Sequence, residues 1–313
     1  MTGFGVPRDA YGEILSELGE TRKDIVVLDA DLSSSTKTSS FGKKFPDRFF
    51  NVGIAEQNMI GIAAGLSTTG KTVFASSFAM FAVGRVYDQI RQSIAYSKMN
   101  VKIVATHAGI TVGEDGVSHQ MIEDISLMCA LPNMKVIVPA DTFETKKTIR
   151  EVSQEKGPTY VRLGRSKVPN VFNSEDEIKI GKASTLVDGG DITLISSGIM
   201  VSKSLEAAQM LKKEGISAEV INLSTLKPID RQGIIKSAKK TGCVVTAEEH
   251  NIYIGMGALV SSILSEEYPV PILRCGIKDT FAQSGDYELL MQIYNLTSDE
   301  ICKLSKNAIA MKR

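Results

Sequence analysis

Asn51-Val52-Gly53-Ile54-Ala55-Glu56-Gln57-Asn58 closes an expected strand and opens an expected helix. Steps of this kind, repeated, build a parallel α/β sheet. The stretch puts one carboxylate, Glu56, in the first turn of a helix that continues Gly61, Ile62, Ala63, Ala64, Gly65 and Leu66. Such small side chains let another helix approach closely, which takes Glu56 out of bulk water. A carboxylate there is costly unless it is hydrogen-bonded or protonated. The plainer reading is negative charge on a helix N-terminus, which is common and worth little. This stretch alone supports either.

Outward from it, short β-branched runs alternate with longer amphipathic segments. Strands are expected at 25–30, 49–52, 72–75, 101–106, 135–138 and 159–163, with helices at 7–18, 55–67, 84–97, 121–130 and 142–155. Pro7 and the pair Asp141-Thr142 supply helix-start signals. Pro169, Asn170, Asn173, Gly181, Gly189 and Gly190 mark a change of composition read as a linker. A second α/β series follows: strands at 191–196, 218–223, 243–248 and 272–275, and helices at 200–214, 230–239, 258–267 and 298–310. Thr297 or Ser298 caps the last helix. The expected organisation is two tandem α/β domains, 1–168 and 189–313, joined by a linker at 169–188. The first holds a doubly wound parallel sheet.

Composition excludes several functions. Apolar residues make up 43% of the 313 positions and charged residues 23%, as in ordinary globular proteins. Lys plus Arg and Asp plus Glu each number 36, so no basic excess draws the chain to nucleic acid or acidic membranes. No apolar run is long enough for a membrane span and no secretion pattern opens the sequence, so a cytoplasmic protein is expected. Cys129, Cys243, Cys275 and Cys302 are widely spaced, which favours reduced thiols over disulfides or zinc.

Three further groups could carry chemistry. Thr106-His107-Ala108-Gly109, then Gly113-Glu114-Asp115-Gly116-Val117-Ser118-His119-Gln120, begins where a parallel strand ends, the usual ligand end of such sheets. Its glycines permit positive φ and close approach to a ligand. Its His107, Asp115 and His119 suit a substrate, although a loose metal site or a plain surface loop also fits. Phe78 and Phe81 stand three apart at another strand mouth, able to stack on a flat heterocycle or simply to fill core. Arg8, Ser35 and Arg165 lie at element ends, and arginine's planar fork suits a phosphate. A P-loop and a Gly-x-Ser-x-Gly elbow are absent, and Gly255-Met256-Gly257 lacks the third glycine of a dinucleotide fingerprint.

Taken together, the ordered landmarks resemble the C-terminal half of transketolase over nearly the whole chain. They are Arg8, Ala30-Asp31-Leu32, Gly53-Ile54-Ala55-Glu56-Gln57, Ser77-Phe78 to Arg85, Thr106-His107, Gly113 to Gln120, Pro139-Ala140-Asp141, Leu163-Gly164-Arg165 and Glu248-Glu249-His250-Asn251. The resemblance implies a thiamine diphosphate pyrimidine-binding domain followed by a transketolase C-terminal domain. It implies two-carbon ketol transfer from a ketose phosphate to an aldose phosphate. In that family a buried glutamate hydrogen-bonds the cofactor's aminopyrimidine and favours its imino tautomer, which removes the thiazolium proton. That role falls on Glu56. By the same match Phe78 and Phe81 wall the pyrimidine, Arg85 joins the cofactor side, and Asp31 lies near the thiazolium end. His107 and His119 would be catalytic and, with Asp115, would hold the sugar. Arg8, Ser35 and Arg165 would hold its distal phosphate.

Two departures qualify the match. The family's Gly-Asp-Gly…Asn segment, which binds diphosphate through magnesium or calcium, is missing: Gly285-Asp286 is followed by Tyr287. No metal ligand is therefore expected on this chain. The expectation is one subunit of a split enzyme, with an N-terminal partner subunit supplying the metal site in a dimer or α2β2 assembly. Gly84 stands where many relatives carry an aromatic residue, which leaves the cofactor wall more open. Deoxyxylulose phosphate synthase, 2-oxo acid dehydrogenase β subunits and a noncatalytic regulatory relative are the alternatives. His107 argues against the first and the 113–120 loop against the second. Retention of Glu56, His107, Asp115 and His119 argues against the third.

Overall fold

The computed structural model describes residues 3–312; Met1, Thr2 and Arg313 lie outside the described residues. Strand β1 (Phe4–Gly5) leads into β2 (Ile25–Asp29), β3 (Phe49–Asn51), β4 (Thr72–Phe78), β5 (Val101–Thr106), β6 (Lys135–Ile137) and β7 (Thr159–Arg162). β8 (Val168–Pro169) returns to pair with β1. The second series is β9 (Ser184–Val187), β10 (Ile192–Ser196), β11 (Ala218–Asn222), β12 (Thr225–Lys227), β13 (Val244–Asn251) and β14 (Ile272–Ile277).

The main sheet runs β12-β6-β7-β5-β4-β2-β3, parallel from β6 to β3. Both faces are covered, so its strands are continuous apolar runs. Along β2, Ile25 and Val27 enter a core with Tyr11, Ile14, Phe41 and Phe74. Val26 and Leu28 enter the opposite one with Met59, Ile60 and Ile90. The chain steps from β2 outward to β3, then returns across β2 to β4. The winding direction thus reverses between β2 and β4, the position where open α/β sheets form a crevice at their strand C-termini. The second sheet, β14-β13-β10-β11-β9, is parallel except for β9.

The two series make a tandem α/β chain, as expected. Asp141 caps the helix Thr142–Gln154 and Thr297 caps Ser298–Ala310, each through its side chain. Four differences are local. Within the stretch 169–188, expected as linker, Ser184–Val187 forms the edge strand β9. β12 leaves the second series to pair antiparallel with β6 of the first sheet. The helix expected at 84–97 starts earlier, with wide π turns at Met80–Gly84 and Ile90–Tyr96 flanking Tyr87–Gln89. Short helices Ser33–Thr36 and Ser39–Lys44 follow β2. All four cysteines are free thiols. Among the described residues, no helix is long and apolar enough to cross a membrane.

Candidate functional site

Most of the expected site residues follow the C-terminal ends of β2, β3, β4 and β5, while Arg165 follows β7 and Arg8 lies in the helix Pro7–Thr21 ahead of β2. Glu56 opens the helix Glu56–Thr68 after β3, and it is only 2% exposed in the chain by itself. Arg85 Nη1 donates to Glu56 Oε2 at 2.9 Å, and the Arg85 guanidinium lies 4.5 Å from the Phe81 ring centroid. Arg85 is itself 47% exposed, so one end of this ion pair is buried and the other reaches solvent. Gln57 Nε2 fixes the Arg85 carbonyl at 3.3 Å.

Phe81 continues the contact chain inward. Its ring lies 6.2 Å from Phe78, near parallel, and 5.2 Å from His119, edge on. Phe78 stacks on His107 with centroids 3.7 Å apart. Wide π turns such as Met80–Gly84 recur at functional sites, and this one sets Phe81 beside Arg85. A Cβ on Gly84 would meet Met80 Cε at 3.4 Å and Met121 Cε at 3.8 Å, so two thioethers border this position.

His107 ends the series at a cationic pole. Arg8 Nη1 lies 3.3 Å from His107 Nε2 and donates to the Ser35 carbonyl at 3.0 Å. Arginine can only donate, so Nε2 accepts and Nδ1–H points to Thr106 Oγ1 at 2.8 Å. Burial, then the nearby Arg8, Arg165, His119 and Lys37, pushes the His107 pKa down to about 3. The imidazole is neutral throughout the physiological range. The neutral ring bridges Arg8 and Thr106 through its two nitrogens. Arg8 is also lowered, first by burial, with Arg165 adding repulsion. Arg8 Nε is buried without a hydrogen-bond partner. Two arginines held near each other, one with an unused donor, suit an anionic group.

The loop after β5 is arranged differently from the sequence expectation. Arg165 Nη1 donates to the Val112 carbonyl and, at 2.8 Å, to Glu114 Oε2, so it braces the loop as well as facing Arg8. Asp115 is exposed and His119 half-buried, with Nδ1 3.0 Å from Ser118 Oγ. Gly109, Gly113 and Gly116 do adopt positive φ, at 82°, 82° and 75°. What approaches them closely is the second domain. A Cβ on Gly109 would lie 2.1 Å from the Glu249 carboxyl carbon, one on Gly116 2.4 Å from Ser284 Oγ, and one on Gly113 3.3 Å from the Gly285 carbonyl.

Asp31 and Ser35 flank the pole on the segment after β2. Asp31, at φ 65°, accepts from Asn51 Nδ2 at 3.0 Å, while its own N–H donates to Asn51 Oδ1 at 3.1 Å. It touches none of the aromatic or histidine groups through these bonds. Ser35 contributes its carbonyl to Arg8, where its hydroxyl had been expected to face a phosphate. Buried Asp29 fastens the segment by accepting from Leu32 N, Thr36 Oγ1 and Thr38 Oγ1 at 2.6 to 2.8 Å. Sequence reasoning gave no role to Asn51, Thr106, Lys37 or Glu249. Asn51, Thr106 and Glu249 lie inside the quoted motifs, so their polarity was the available signal. Lys37 left none.

Asp286, of the Gly-Asp pair, accepts from Glu288 N and Leu289 N as a helix cap. Among the described residues, no group of three or more His, Cys, Asp or Glu side chains could hold a metal ion.

Comparison with known proteins gives an independent view of the same residues. The family model for the transketolase pyrimidine binding domain matches residues 7–171, and that for the transketolase C-terminal domain matches 181–301. A putative transketolase C-terminal section from Methanocaldococcus jannaschii is 53% identical over 299 residues, 95% of this chain and 94% of that protein. A 6-deoxy-6-sulfo-D-fructose transketolase subunit from Clostridium sp. is 40% identical over 305 residues, 97% and 95% of the two chains. A split-gene transketolase solved as an inactive β4 tetramer superposes with a TM-score of 0.93 at 51% identity, covering 98% of this chain and 99% of that one.

Proposed function

The chain belongs to the transketolase family, and we propose that it is the C-terminal subunit of a two-chain transketolase. In this reading it moves a two-carbon ketol unit from a ketose phosphate to an aldose phosphate, and it is active only with an N-terminal partner subunit. The observation that carries the proposal is the contact chain from Glu56 through Arg85, Phe81, Phe78 and His107 to Arg8. It sets a buried carboxylate at one end of an aromatic wall and paired cations at the other.

The family uses thiamine diphosphate, and the donor set fits that group. Phe78 and Phe81 offer flat apolar surface for a pyrimidine. Glu56 Oε2 is held by Arg85 while Oε1 has no hydrogen bond among the described residues, so one oxygen is available to a ring nitrogen. When bound, the cofactor supplies a thiazolium that stabilises a carbanion, which sugar chemistry needs and no side chain provides. Glu56 would hold or share a proton at Oε1, and Arg85 would keep the carboxylate oriented. His107, His119 and Asp115 would hold sugar hydroxyls, with neutral His107 acting through hydrogen bonds. Arg8 and Arg165 would draw in the distal anion. That preference accords with a relative named for a sulfonated fructose. The divalent metal and the diphosphate would be held mainly by the partner.

Mixing the chain with candidate N-terminal subunits, thiamine diphosphate and magnesium should yield ketol transfer across a panel of ketose phosphates. Full activity from the chain alone, or none with any partner, contradicts the reading.

A further inference from the structure

The three loop glycines are pressed from the side of the second domain. Thr111 N, 2% exposed as a residue, donates to Glu249 Oε1 at 2.7 Å across the boundary between the two series. Glu249 is 4% exposed and lies against Gly109. Its own carbonyl is held by Arg162 Nη2 at 2.9 Å, and Arg162 Nε is anchored on Asp124 Oδ2 at 2.8 Å. Farther along the loop, Gln120 Nε2 donates to the Gln283 carbonyl at 3.1 Å. A void of about 20 Å³, lined by Thr111, Arg162, Ser166 and Glu249, borders this anchor.

We propose that Glu249 is a positioning residue for the substrate loop: its carboxylate, delivered by the second domain, fixes Thr111 and so sets where Asp115 and His119 stand. This gives the C-terminal domain a part in sugar binding, and it rests on the function proposed above. Glu249 touches neither sugar nor cofactor; it acts through the loop backbone. The reach of the side chain is what matters, since a buried N–H left without an acceptor drives the backbone to rearrange.

Two conservative variants separate reach from charge. Glu249→Gln keeps an acceptor at the same reach, whereas Glu249→Asp keeps the charge beside Arg162 and withdraws it by one carbon–carbon bond. In the reconstituted complex, Glu249→Asp should raise KM for the sugar about ten-fold, the effect of one unpaired buried donor. Its kcat and thiamine diphosphate affinity should change less than two-fold by the same reasoning, and Glu249→Gln should stay near wild type. In the full chain without partner, the Thr111 amide should exchange hydrogen faster in Glu249→Asp than in Glu249→Gln. An unchanged exchange rate and KM in Glu249→Asp, or the reverse order of the two variants, overturns the proposal. So does an equal loss of sugar and cofactor binding. Absence of wild-type ketol transfer would instead remove the functional reading, and the exchange measurement would still decide whether Glu249 holds the loop.

Discussion

Glu56 is nearly sealed before any second chain is added, and it is ion-paired with Arg85. Replacing Glu56 by Ala in the reconstituted complex should lower turnover by about 10²-fold or more, the usual scale of lost proton-transfer assistance. Turnover surviving within a few-fold would remove Glu56 from the chemistry. Arg165→Ala should chiefly raise KM for phosphorylated sugars. Because Arg165 also braces Val112 and Glu114, an equal loss with unphosphorylated sugars would assign it to loop shape alone. At this scale the sequence was readable wherever a residue's type restricts its job. A lone carboxylate among small residues, an aromatic pair and loop histidines were all visible in the order of the motifs. Partners remote in the chain were not. Arg8 and His107 are 99 positions apart, and nothing local to either announces that their nitrogens meet.

Elements were legible in proportion to their length and apolar pattern. Buried runs such as β2 and β5 have no other plausible conformation in a covered sheet. Ser33-Ser34-Ser35-Thr36 has no apolar period, and its helix depends on Asp29 below it. β12 is three residues long and exists through its pairing with β6, a tertiary effect beyond local propensity. Two helices also begin against buried acids. Glu144, in the first turn of Thr142–Gln154, accepts from Ala140 N and Asn222 Nδ2, and Glu248 accepts from Met256 N and Gly257 N of Met256–Glu267. Burial raises each carboxyl to about 7, against the opposing pull of those donors. A folded pKa above the unfolded value means that the native state favours the protonated form. This contribution is complete below the unfolded pKa of about 4.3 and is lost as pH rises through about 7. The thermal midpoint should therefore carry a downward trend between pH 5 and pH 8, and a Glu144→Gln, Glu248→Gln double variant should flatten it. An equally steep trend in that variant would place the titration elsewhere.

For the molecule as a whole, the helix Glu56–Thr68 turns Gln57, Asn58, Gly61, Gly65 and Thr68 outward, with exposed Ile54 just ahead. A Cβ on Gly61 or Gly65 would meet nothing within 4 Å. Small, outward side chains on this face let a neighbouring subunit approach closely, and a bulky substitution tests whether the assembly uses it. Gly61→Leu should leave the lone chain as stable or gain about 0.5–1 kcal/mol from relief of helix glycine entropy, while weakening assembly in sedimentation. Assembly unaffected by so bulky a side chain would put the contact on another surface. The loan of β12 to the first sheet has a practical corollary for anyone dissecting this protein. Cutting the polypeptide between its two halves strips β6 of a neighbour and uncovers a row of unmet amides and carbonyls, a template for sticky intermolecular pairing. The halves match separate family models, yet they are expected to behave poorly when expressed apart.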